Sequence, residues 1–86
     1  MEIVYGSKFA REYKKLPDNI KDIAEAQETL FRKNPFNPKL KTHKLKGKLS
    51  GFLSFSVDHK YRIIFEFSKD KNTIYFHSAG NHDIYQ

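Results

Sequence analysis

Residues 52–79, FLSFSVDHKYRIIFEFSKDKNTIYFHSA, decide the fold. Apolar residues recur there with period two, in three runs separated by polar breaks. In 52–57, Leu53, Phe55 and Val57 share one face, and Phe52, Ser54 and Ser56 share the other. Asp58-His59-Lys60 reads as a polar turn. In 61–67, Tyr61, Ile63, Phe65 and Phe67 face one way, with Arg62, Ile64 and Glu66 opposite. A second break at 68–72 leads into 73–79, where Ile74 and Phe76 oppose Tyr75 and His77. Side chains of a strand alternate between faces, so each run reads as a strand. Two consecutive tight connections predict an antiparallel meander.

Upstream of the meander the period changes. Ile3, Val4 and Tyr5 form a short strand candidate ended by Gly6, and Ser7 is placed to cap a first helix. Phe9, Tyr13 and Leu16 lie on one face of that helix, which Pro17 interrupts. Asp18-Asn19 opens a second helix with a stripe of Ile20, Ile23, Ala24, Gln27, Leu30 and Phe31. Asn34-Pro35 and Asn37-Pro38 stop it and make a turn. Residues 39–48, KLKTHKLKGK, show no clean period and read as a loop with at most a short strand. The predicted fold class is therefore α+β, in the order β-α-α-β-β-β. It is a small, mostly antiparallel twisted sheet with two N-terminal helices on one face. The faces holding Leu53, Phe55, Val57, Ile63, Phe65 and Phe67 are predicted to meet the helices. Arg62, Phe52, Ser54 and Ser56 are then left on the open face.

Composition bounds the function. The 86 residues are read as one domain, 1–86, whose core relies on eight Phe and five Tyr. Net charge is +6, and five lysines fall within residues 39–48. Such clustering favours a polyanionic partner over a basic protein with no such partner. The absence of cysteine excludes disulfides and thiolate zinc sites. Four histidines occur without a metal-ligand spacing or an accompanying carboxylate cluster, so no metal and no cofactor are expected. No signal peptide or membrane-length apolar run is visible, and a cytoplasmic location without membrane contact is expected.

The chain resembles the RelE/ParE superfamily of toxins from type II toxin–antitoxin pairs, within it the YafQ and YoeB branches. The resemblance is carried by His43-Lys44-Leu45-Lys46-Gly47, Leu49-Ser50-Gly51-Phe52, Tyr61-Arg62-Ile63-Ile64-Phe65 and the ending Gly80-Asn81-His82-Asp83-Ile84-Tyr85. Ser7-Lys8-Phe9 and the Leu16-Pro17 break add to it. It implies a ribosome-dependent messenger-RNA endonuclease that inhibits translation, monomeric when free and neutralised by a cognate antitoxin. The implied partners are that antitoxin, the ribosomal A site and mRNA. Residue by residue, the resemblance places His43, Arg62, His82 and Tyr85 at catalytic positions. Two positions depart from the YafQ pattern: Ser56 replaces a second histidine, and Lys60 replaces an aspartate.

These residue types suit cleavage of a phosphodiester without metal. Imidazole titrates near the working pH and can take or give a proton, so His43 is assigned as base and His82 as acid, an order that can be exchanged. A guanidinium can bond a phosphate twice, the role assigned to Arg62. Lys41, Lys44, Lys46 and Lys48 add positive potential for RNA, and Phe52 is placed to stack on a base. Plainer roles exist for each. His43 can be a solvated loop residue, Arg62 an ion-pair partner of Glu66 or Asp58, and Phe52 packing beneath the lysine loop or an antitoxin contact. His59 reads as a turn residue, and His77 as a cross-strand neighbour of Tyr75 or Arg62. Two other functions stand beside the nuclease: a ParE-like poison that binds DNA gyrase, and an inactive member that only binds its antitoxin.

Overall fold

The computed structural model describes residues 1–81. In chain order the elements are β1 (Glu2–Tyr5), α1 (Ser7–Lys14), α2 (Asp18–Lys33), β2 (His43–Lys44), β3 (Leu53–Ser56), β4 (Arg62–Phe67) and β5 (Thr73–Gly80). Short 3₁₀ turns at Pro38–Leu40 and Gly47–Leu49 flank β2. The sheet runs β1-β5-β4-β3-β2. The predicted meander is present in β3, β4 and β5, and β1 joins its far edge in parallel with β5. The lysine segment contributes only the two residues of β2, paired antiparallel with β3.

The helices cover one face, as the amphipathic stripes require. Phe31 of α2 is fully buried and joins the two layers. Its ring stacks on Phe55 at 4.8 Å and meets Phe65 and Phe76 edge-on at 4.9 and 5.4 Å. Such aromatic pairs prefer offset or edge-to-face geometry, each worth about 0.5–1.5 kcal/mol beyond area burial. Around this centre, Leu53, Phe55, Val57, Ile63 and Phe65 are buried towards the helices, as the alternation predicts. Phe67 is half-buried, stacked beneath the exposed Phe36.

Three local expectations are corrected. Gly6, not Ser7, is the N-cap of α1, and no side chain caps that helix. The reason is the strand-to-helix turn: the Gly6 amide donates to Phe76 O at 3.0 Å, so the chain turns into helix one residue early. Ile23 is 38% exposed despite its place in the α2 stripe, because the sheet reaches only the Ile20, Ala24 and Phe31 side of that helix. The face away from the helices is not bare at its centre. Ser54, Ile64 and Ser78 pair across three strands there, and all three are buried.

Candidate active site

Edge strand β2 sets the position of His43. Its register partner is Ser54, so the imidazole belongs to the face away from the helices. The ring is exposed, and its Nδ1 lies 3.1 Å from the carbonyl oxygen of Lys41. A carbonyl only accepts, so Nδ1 carries the hydrogen and Nε2 remains available to take a proton. Lys41 itself adopts a left-handed φ of 53°, which turns the chain from the Pro38–Leu40 helix into β2.

Arg62 opens β4 on the same face, between Ser56 and Gly80. It is half-buried, not enclosed beneath the helices. Its Nη1 donates to the carbonyl oxygens of Asp58 and, at 3.0 Å, Tyr61. The Nε and Nη2 edge makes no hydrogen bond among the described residues, and that edge is the fork that matches two phosphate oxygens. The ion pairs considered from sequence are not formed. Glu66 instead meets His77 Nε2 at 3.0 Å. The Asp58 carboxylate accepts the Lys60 and Tyr61 amides at 2.9 and 2.7 Å. Burial pushes the Asp58 carboxyl upward, but those two amides, with the His59 and Arg62 charges, outweigh it and hold it below the usual value.

Register sets the spacing. His43 and Arg62 stand two strands and two residues apart, which separates their Cα atoms by about 12 Å. Both stand on the face of the sheet away from the helices. Ser56 lies in register with Arg62 and is buried, so no imidazole stands at that position. Lys60 is exposed, with its ammonium 5.6 Å from the Tyr61 ring centre. His82 and Tyr85, the other two residues assigned to catalysis, lie outside the described residues. Among the described residues, no group of three potential metal ligands forms. No helix there is long and apolar enough to cross a membrane.

A family model described as YafQ, bacterial toxin of a type II toxin–antitoxin system, matches residues 1–85. The chain belongs to the YafQ toxin family. No curated protein sequence matches it. Among solved structures, it is similar to a YoeB/ParE toxin from Agrobacterium tumefaciens, with a TM-score of 0.79 at 16% identity, over 95% of this chain and 99% of that one. It is also similar to YafQ from E. coli strain BL21(DE3), with a TM-score of 0.76 at 19% identity, over 96% and 94% of the two chains. The E. coli DinJ-YafQ toxin-antitoxin complex matches with a TM-score of 0.77 at 18% identity, over 96% and 93%. These likenesses establish the RelE-like fold.

In this YafQ-family chain the lysines do not form one patch. Lys44 pairs with Leu53, on the helix side of the sheet, opposite to His43. It lines a cleft there with Phe36, Phe67 and Lys71. Alternation along a two-residue strand dictates this, so Lys44 and Arg62 stand on opposite faces of the sheet. Lys41, Lys46 and Lys48 are exposed on turns flanking β2. Phe52 is half-buried, its ring edge-on to His77 at 4.9 Å, which leaves it only partly open to a base.

The sequence reading missed how His77 is placed. Ile64 pairs with Ser78, but Phe65 pairs with Phe76, so His77 is the extra residue of a bulge. The bulge pushes His77 towards Phe52 and Glu66. The only signal was that Phe76 and Ala79, three apart, are both apolar.

Proposed function

We propose that this toxin is a ribosome-dependent mRNA endonuclease that acts in the cytoplasm without a metal and thereby inhibits translation. The observation that carries the reading is the Nε/Nη2 edge of Arg62, unbonded among the described residues, on the same sheet face as His43, whose Nε2 can take a proton. In the proposed reaction, His43 removes the 2′-hydroxyl proton and the 2′ oxygen attacks the adjacent phosphorus. The bond to the 5′ oxygen breaks, and His82 protonates that oxygen. The products are a 2′,3′-cyclic phosphate and a free 5′-hydroxyl, and the two imidazoles can exchange roles. Arg62 stabilises charge developing on the phosphate oxygens. Tyr85 is assigned a catalytic role by its match to the family's terminal aromatic. Lys41, Lys46 and Lys48 draw the message to β2, with Phe52 offering its exposed part to a base. Lys44 acts on RNA passing round the β2 edge. A cognate antitoxin, as DinJ is for the solved YafQ complex, is the protein partner of a free monomer.

The test is translation in a purified system with primer extension on the message. Wild type is expected to cut within the A-site codon. His82→Ala is expected to cut about 10²–10⁴-fold more slowly with an unchanged far-UV spectrum. Full cleavage by that variant removes His82 from the mechanism. Inhibition without any cut removes the nuclease reading and leaves one of binding.

A further inference from the structure

A cleft of about 430 Å³ opens where the start of α1 meets the bulge of β5, on the sheet face that carries Arg62 and His43. Its floor is closed by the buried Ile64 and Ser78. Two of its walls are rings. Phe52 and His77 stand 4.9 Å apart with their planes 87° from each other. Planes at right angles form a corner, in which a base lying flat on one ring meets the other with its edge.

His77 is held in that corner by a carboxylate. Its Nε2 lies 3.0 Å from Glu66 Oε1, and each of the two side chains is 39% exposed. A carboxylate only accepts, so Nε2 carries the hydrogen and the neutral ring presents Nδ1 as an acceptor. Nδ1 makes no hydrogen bond among the described residues, and no buried side-chain polar atom there lacks a partner, so Nδ1 is open to a ligand. A half-exposed pair of this kind adds little to stability. Bulges re-aim side chains and are frequent beside active sites, and the extra residue of this bulge is His77 itself. Arg62 is held towards the 58–61 turn, whereas His77 is held towards Glu66, roughly 13 Å from Arg62 along β4. That gap excludes the imidazole from proton transfer at a phosphate on Arg62, and it suits the base of a neighbouring nucleotide.

We propose that this cleft is a nucleobase pocket, in which Phe52 stacks the base and Nδ1 of His77 accepts from its exocyclic amino group. The pocket takes the base of a nucleotide next to the scissile phosphate, and in this it rests on the RNA-cutting reading. It favours cytosine over uracil and adenine over hypoxanthine, pairs of matching shape that exchange an amino group for a carbonyl. A carbonyl facing Nδ1 sets two acceptors against each other. Glu66 is a positioning residue, which fixes the tautomer of His77. Lys8 at the rim is placed for the backbone of the same strand.

The experiment is titration of the full chain with non-cleavable 2′-O-methyl trinucleotides of a single base, at about pH 8, where neutral imidazole predominates. Cytidine trimers are expected to bind about tenfold more tightly than uridine trimers, and adenosine trimers about tenfold more tightly than inosine trimers. Equal affinity within either pair, or no binding by any trimer, overturns the pocket. His77→Phe keeps a ring against Phe52 and loses the acceptor. It is expected to bring each pair to within about twofold, with an unchanged far-UV spectrum. A preference that survives this substitution overturns the assignment to His77, and the wild-type comparison stands without the variant. Glu66→Gln can donate as well as accept. It is expected to mix the two tautomers, read in the imidazole nitrogen NMR spectrum, and to narrow each preference. A single tautomer with the preferences intact removes Glu66 from the pocket. The two readings fail separately. A wild type that cuts no message, yet shows the preferences, loses the nuclease reading and keeps the pocket. One that cuts while binding both members of each pair equally loses the pocket alone.

Discussion

Arg62 is held by two turn carbonyls through one nitrogen, and that decides which of its edges can meet an anion. Lysine has a single ammonium and cannot both bind the turn and present a fork. Arg62→Lys is therefore expected to lower cleavage about 10²-fold or more, with little change in the thermal midpoint, as measured by single-turnover cutting and circular dichroism. Asp58 gives a pH prediction. Its carboxyl is depressed in the folded protein by the Tyr61 and Lys60 amides acting against burial. Its stabilisation is thus present above the ordinary carboxylate pKa and is lost as pH falls through the lower folded value. Asp58→Asn is expected to lower the melting temperature at pH 7, and the gap from wild type should close as pH falls through the depressed folded-state pKa. An unchanged gap at low pH would show that the carboxylate charge does not matter there. The sequence named Arg62 by residue type and alternation, and His43 by the family resemblance. It did not find the carbonyl clamp, because backbone acceptors leave no trace in residue identity.

At the level of elements, the junctions carry the precision. Gly6 ends β1 and caps α1 within one residue of Phe76, and a Cβ there would lie 3.1 Å from the Phe76 carbonyl oxygen. That oxygen is backbone and also accepts the Gly6 amide, so it has little room to move. Gly6→Ala is expected to destabilise the fold by about 1 kcal/mol, read as a lower urea midpoint with an unchanged m-value. The same junction shows where pattern reading stops. Gly6 was legible as a terminator, yet the cap position was misplaced to Ser7, since both residue types cap helices and only the bond to Phe76 selects one. In β5 the bulge at His77 preserves an apparent period of two through Phe76 and then shifts the register. A one-residue slip changes which face a side chain takes, so Ser78 entered the cleft without any local cue.

Across the whole molecule, Phe31 ties α2 to three strands through rings of Phe55, Phe65 and Phe76. Phe31→Ala is expected to cost about 3–5 kcal/mol, measured by chemical denaturation. In a chain this small such a loss takes much of the total stability. A cost below about 1 kcal/mol would show that the layers are joined elsewhere. Sequence alone determined the α+β class, the order of elements, and the face on which Arg62 stands, because periods of two and of 3.6 are local properties of a chain. Tertiary structure decided the rest. It placed β1 beside β5, set Lys44 across the sheet from His43, and brought the start of α1 to the bulge of β5. Those outcomes depend on register between segments far apart in the chain, and register comes from the packing of both partners at once.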